Sequence, residues 1–167
     1  KIIEKMERPV ITGVTYDTNQ VKITIFGLKD IPGIAAKLFG AFAAENINVD
    51  LIVQNISEKG ISTISFTIRN EDIELARNVL ESIKGKIEFS SVDINADVAK
   101  VSIVGAGMQT HAGVASRMFE ILAREGINIE MISTSPIRIS CVIVKDKVKV
   151  AVKALHNGFE LDGEKVL

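Results

Sequence analysis

A chain of 167 residues holds either one medium domain or two small ones, so length leaves the domain count open. With 47% hydrophobic and 25% charged residues it carries enough apolar material for a core, which excludes a disordered chain. Its 20 basic and 21 acidic residues give a formal charge of -1 with no long lysine or arginine run, and that argues against a nucleic-acid partner.

The chain opens at Lys1 rather than Met and is read as a fragment or processed product, with Met6 as a candidate start of a shorter polypeptide. Neither a secretory apolar segment nor the roughly 18 apolar residues of a membrane span is present. VITGVTY (10 to 16) is rich in strand formers and has no partner in the unit that follows. Val21, Ile23 and Ile25 alternate with Lys22 and Thr24, the pattern of a one-sided strand. A helix is expected next, with Pro32 in its opening turn and Ile34, Leu38, Phe39 and Phe42 at three- and four-residue spacings. Val49, Leu51 and Val53, then Ile64, Phe66 and Ile68, predict a hairpin. Asn70 is placed as N-cap of a second helix with Ile73, Ala76, Leu80 and Ile83 as its stripe, ending at Gly85, and residues 87 to 94 supply a fourth strand.

The same order then recurs. At an offset of 80, GIAAKLFGAFAAENINV (33 to 49) aligns without a gap on GVASRMFEILAREGINI (113 to 129), and Val21, Ile23 and Gly27 meet Val101, Ile103 and Gly107. Strands are expected near 100 to 104, 128 to 134 and 137 to 144, and helices near 112 to 125 and 147 to 157. Asp146 is the expected cap of the last helix, Val148, Ala151, Val152 and Leu155 its stripe, and Gly158 lies beyond its end. The fold class is therefore α+β, two copies of one β-α-β-β-α unit, each closed by a further strand. Domain boundaries are set at 1–20 for the N-terminal segment, 21–96 and 97–167, with the N-terminal strand free to complete the second sheet.

Chemistry for catalysis is sparse. His111 and His156 have no Cys, His or carboxylate neighbour at ligand-like spacing, and His156 reads as a helix-end residue. Cys141, the only cysteine, excludes an intrachain disulfide, fits a reducing, cytoplasmic setting, and reads as a small buried residue of a strand. In VGAGMQTHAG the third glycine of a dinucleotide fingerprint is replaced by Thr110, which argues against nucleotide binding. The positive signal is the pair of strand-to-helix loops, GLKDIPGIA (27 to 35) and GMQTHAGVA (107 to 115). A glycine at a helix amino end lets a carboxylate reach free backbone N–H groups. Asp30 and Asp50 offer charge to an ammonium group, and Asn48 and Gln54 offer hydrogen bonds.

DIPGIAAKLFGAFAAENINVDLIVQN and VSIVGAGMQTHAGVASRMFEILAREGINIEMISTSPIRIS resemble the tandem ACT domains at the C-terminal end of aspartokinases, over about residues 8 to 161. The resemblance implies two ferredoxin-like βαββαβ domains, antiparallel sheets with helices on one face, that sense lysine, threonine or both. In that family the ATP-dependent phosphorylation of L-aspartate belongs to an upstream kinase domain absent here, so neither catalysis nor a cofactor is expected of this chain, and ATP and magnesium fall to the kinase part. Carried across by position, the first-copy effector site comprises Asp30, Ile31, Pro32, Gly33, Ile34, Ala35, Asn48, Val49, Asp50 and Gln54. The second-copy counterpart comprises Val114, Ala115, Asn128, Ile129, Ser135 and Pro136. Pro136 stands where the family often has Glu, and Ala112 where it often has Pro, which favours the first copy as the working site. The implied partners are the effector, an aspartokinase catalytic domain or subunit, and a second copy joined sheet to sheet, with no nucleic acid or membrane. Open alternatives are an ACT module of another amino-acid-pathway enzyme or regulator, a small nucleotide-binding α/β enzyme, and a tandem fold that serves only for dimerisation.

Overall fold

The computed structural model describes residues 10–106 and 113–159. Its elements run β1 (Val10–Lys29), α1 (Ile34–Ala44), β2 (Ile52–Ile56), β3 (Ile61–Ile68), α2 (Ile73–Ile83), β4 (Ser91–Ala106), α3 (Gly113–Arg124), β5 (Met131–Ser135), β6 (Arg138–Val144) and α4 (Val148–Gly158). They form two compact units. One spans Asn19–Val98; the other joins residues 10–18 to the described residues from Ala99 onward. We call them the first and second copies.

In the first copy the strand order is β2-β3-β1-β4. β3 pairs antiparallel with β1, Val21 opposite Ile68 and Ile25 opposite Ile64, and with β2 on its other side. Alternation turns Val21, Ile23, Ile25, Ile64, Phe66 and Ile68 onto one face. There they meet the helical stripes Ile34, Leu38, Phe42 and Ala76, Val79, Leu80, Ile83 in one core. Phe66 stands edge-on to both Phe39 and Phe42, with ring centres 5.2 and 5.1 Å away, an arrangement favoured by the ring quadrupoles. Gly27 sits at φ 74° where β1 shifts register between Ile25 and Leu28, and a Cβ there would collide with Ser90.

The second copy repeats this plan in the order β5-β6-β4-β1. Ile103, Val114, Met118, Leu122, Ile139, Cys141, Ile143, Ala151 and Leu155 form its core, with Ile11 and Val14 of β1 packed against it. Thr12 Oγ1 donates to the Val104 carbonyl at 3.2 Å. The N-terminal half of β1 thus stands where the second copy's fourth strand belongs.

Several local expectations are corrected. VITGVTY and the strand at 21 to 25 are one strand, β1, and the strand expected at 87 to 94 starts only at Ser91 and is one strand, β4, with that at 100 to 104; Asp17, Thr18 and Asn19, residues of turn type, remain extended within β1. Pro32 lies in a turn ahead of α1, which starts after Gly33. Residues 49–51 precede β2 and 128–130 precede β5, although Asp50 and Leu51 still bond to Thr67. Neither Asn70 nor Asp146 caps a helix by its side chain: single 3-10 turns, Asn70–Asp72 and Lys145–Lys147, lead into α2 and α4 instead. Gly158 is the last residue of α4 rather than beyond it, and Ile121 packs against its bare Cα. Among the described residues no helix is long and apolar enough to cross a membrane.

Candidate functional site

The loop between β1 and α1 is tied to the β2–β3 hairpin. Asp30 N–H donates to the Gly60 carbonyl at 2.9 Å, and Ile31 N–H to the Lys29 carbonyl at 3.0 Å. Gly33 then adopts φ 91°, the left-handed region in which a side chain is strained, and becomes the N-cap of α1. It has no side chain to cap with, and the first turn of α1 holds no acid. The N–H groups there and the positive end of the helix dipole therefore lack a side-chain acceptor. Ile34 plugs into the core and fixes this end, while Asp30, Ile31, Pro32, Gly33 and Ala35 are exposed around it. Lys29 is paired with Glu88 at 2.7 Å, and the pair lowers the carboxyl's proton affinity and raises that of the amine. The cation beside Asp30 is thereby occupied by Glu88, not by Asp30.

β2 is the outer strand of this sheet. Its Ile52, Gln54 and Ile56 lie opposite Phe66, Ile64 and Ser62, which are buried on the helix side. Opposite residues of an antiparallel pair share a face, so all three point to the helix side too. Yet Gln54 is exposed, and Ile52 and Ile56 are 52% and 58% exposed, which shows that the helix layer stops short of this edge. A helix end without a side-chain cap, an acid and an amide thus share the margin of an open sheet edge.

The structure does not bring every nominated residue there. Asn48, Val49 and Asp50 follow the far end of α1, and Asp50 N–H bonds to Thr67. Thr67 is six residues along β3 from Ile61, the partner of Lys29, or about 20 Å at the rise of a strand. Asn48 and Asp50 are exposed, and Val49 packs on the core. Within one molecule they stand apart from Asp30.

In the second copy residues 107–112, His111 among them, lie outside the described residues. Val114 is buried and Ala115 half-buried at the start of α3; Ile129 leans on the core and Asn128 is exposed. Ser135 lies opposite Arg138 and donates to its carbonyl at 3.4 Å, with exposed Pro136 in the turn. Register places Ile132 and Thr134 opposite the core residues Cys141 and Ile139. Thr134, not Ser135, therefore occupies the place of Gln54. The residue-by-residue reading passed over Thr134, although the offset of 80 already pairs it with Gln54.

Cys141 is fully buried and desolvation pushes its thiol up to about 12, which keeps it protonated. Among the described residues no group of three His, Cys, Asp or Glu is placed to hold a metal.

The family model described as ACT domain matches this chain twice, at residues 23–82 and 101–159. An aspartate kinase of Stutzerimonas stutzeri is 46% identical over 159 residues, 95% of this chain but 39% of that protein's length. A crystal structure of aspartokinase alpha and beta subunits has a chain 41% identical with a TM-score of 0.85, covering 90% of this chain and 99% of that one. The ligand-free regulatory subunit of aspartate kinase from Thermus thermophilus is 38% identical with the same TM-score, covering 89% and 98%. The chain thus spans about two fifths of the curated relatives it matches and nearly the whole of a separate regulatory subunit. It belongs to the ACT-domain family, as a tandem pair of the aspartokinase regulatory type.

Proposed function

We propose that this chain is the feedback sensor of an aspartate kinase: it binds free lysine or threonine and thereby controls phosphorylation of L-aspartate by a catalytic domain or subunit. The observation that carries the reading is the uncapped amino end of α1, with Asp30 beside it and Gln54 on the open edge of the same sheet. An α-amino acid presents the complementary groups. Its carboxylate meets the α1 amides, its ammonium group meets Asp30, and Gln54 reads the side chain. The effector lies at a seam where β2 edges of two molecules meet, which brings Asn48 and Asp50 of one molecule toward Asp30 of the other. Pairing of edges also satisfies backbone groups that an outer strand leaves open.

Titration calorimetry with each of the twenty amino acids tests this. Lysine, threonine or both should bind and the rest should not. Asp30→Ala should remove a charge-assisted hydrogen bond of about 1.5–3 kcal/mol and weaken binding roughly ten- to a hundredfold without unfolding the chain. Unchanged affinity in both Asp30→Ala and Gln54→Ala would overturn the site assignment.

A further inference from the structure

Among the asparagines of the chain, Asn157 alone is followed by glycine. A glycine amide has no side chain to shield it, so its nitrogen can reach the side-chain carbon of the asparagine before it; the other asparagines are each followed by a residue with a Cβ, which screens that approach. Packing holds the glycine in place. Gly158 ends α4 against Ile121 of α3, and a Cβ at this position would come within 2.3 Å of the Ile121 side chain. The contact between the two helices therefore favours the residue that makes Asn157 reactive.

Asn157 is exposed on the last turn of α4. Helical backbone angles keep the Gly158 nitrogen turned away from the Asn157 side-chain carbon, so attack waits until this turn opens, and helix ends open first. Two contacts hold it shut. Phe159 N–H donates to the Leu155 carbonyl at 2.9 Å. Arg117 of α3 donates from its guanidinium to the Gly158 carbonyl and stacks on Phe159, 5.3 Å from the ring centre. A side chain of the neighbouring helix thus clasps both residues that follow Asn157. Asn157 and Arg117 also line one hollow of about 500 Å³, together with Arg124, which is paired with Glu120 at 2.6 Å.

We propose that Asn157 is a site of spontaneous deamidation and that Arg117 sets its rate. The Gly158 nitrogen bonds to Cγ of Asn157 and gives up its proton; the bond from Cγ to the side-chain nitrogen breaks, and that nitrogen leaves with the proton as ammonia. A five-membered succinimide remains. Water then adds to either of its carbonyls and opens the ring, to aspartate or to isoaspartate, whose main chain runs through the former side-chain carbon. Either product puts a carboxylate in the hollow with Arg117, where it competes with the Gly158 carbonyl for the guanidinium. A negative charge at the carboxyl end of α4 also opposes the helix dipole. The reaction accordingly loosens the clasp that delayed it.

Peptide mapping by mass spectrometry, on whole chains aged in mildly alkaline buffer, tests the proposal. In the folded wild-type chain Asn157 should convert ahead of every other asparagine, with isoaspartate among the products. Arg117→Ala should speed the conversion about tenfold or more, through the larger fraction of open turns that follows loss of a hydrogen bond from a charged donor. Arg117→Lys keeps the charge without the planar fork and should fall between the two. In strong urea all three chains should react at one common rate, because no turn is left to hold. Conversion led by another asparagine, folded-state rates indifferent to residue 117, or a difference that persists in urea would overturn the proposal. So would a rate that rises only as far as global stability falls, since opening would then be unfolding of the second copy and not release of its last turn.

Discussion

Cys141 lies in β6 with no exposed surface, between the core residues Ile139 and Ile143. Its thiol ionises at about 12 in the fold against an ordinary 9, because burial disfavours the thiolate. Between these values the unfolded chain gives up a proton that the folded chain keeps. The contribution to stability is therefore fully present below pH 9 and is lost as pH rises toward 12. Compared with Cys141→Ala, the wild-type chain should lose extra stability between pH 8 and 10.5, seen as a larger drop in urea midpoint; parallel profiles would show that the thiol is not buried. Thiol reagents at pH 8 should label Cys141 only as fast as the second copy opens. The sequence marked a glycine near the amino end of the first helix, but not that Gly33 stands ahead of the helix at φ 91°, because an N-cap ordinarily keeps an extended, negative φ and composition alone does not record the exception. Facing was less legible: which of Thr134 and Ser135 looks to the helix side depends on register across two strands, and no local pattern of polar residues records that.

Where α2 begins, an asparagine from β1 does the work expected of a cap. Asn19 Oδ1 accepts the Asn70 N–H at 2.9 Å, and its Nδ2 donates to Glu71 at 2.9 Å. Asn70, by contrast, makes no capping bond with its side chain. Asn19→Ala should therefore cost about 1 kcal/mol, the usual worth of a lost side-chain acceptor at a helix start, whereas Asn70→Ala should cost less than about half of that. Urea denaturation of the two variants decides it, and equal losses would show that Asn70 is the cap after all. Helices and inner strands were readable because 3.6- and 2-residue periods leave a mark on every buried position, as Leu38 and Phe42 or Ile64 and Phe66 do. Element ends were not. Asn70 and Asp146 have the composition of caps, but the choice between an N-cap and a 3-10 turn is made by a residue 51 positions away in the first copy. The lengths of β1 and β4 were also hidden, since turn-type residues, Asp17, Thr18 and Asn19 in β1 and Asp93, Asn95 and Asp97 in β4, stand between the stretches that serve the two cores.

The sensing role proposed above requires a small ligand at a sheet margin to influence an active site in a separate catalytic domain or subunit. Ile52 and Ile56 leave apolar surface beside Gln54 on an edge strand whose outer hydrogen bonds are unpaired within the first copy. A second edge laid against it would cover both, and a ligand seated across that seam would touch two molecules at once. Binding and pairing then share one coupling free energy, typically about 1–3 kcal/mol, so the ligand tightens the dimer by the factor with which the dimer tightens the ligand. Ile56→Lys places a charge on the β2 edge and spares the core, since Ile56 is exposed and is not among the residues packed against it. We expect it to weaken self-association and amino-acid binding together, while thermal unfolding of the single chain changes little. Sedimentation with and without lysine or threonine, beside calorimetry on the same variant, measures both sides of the linkage. A variant that stays monomeric yet binds its amino acid as tightly as the wild-type chain would mean that one molecule completes the site. The seam would then play no part in sensing, and control of a catalytic partner would have to run through the helix layer instead.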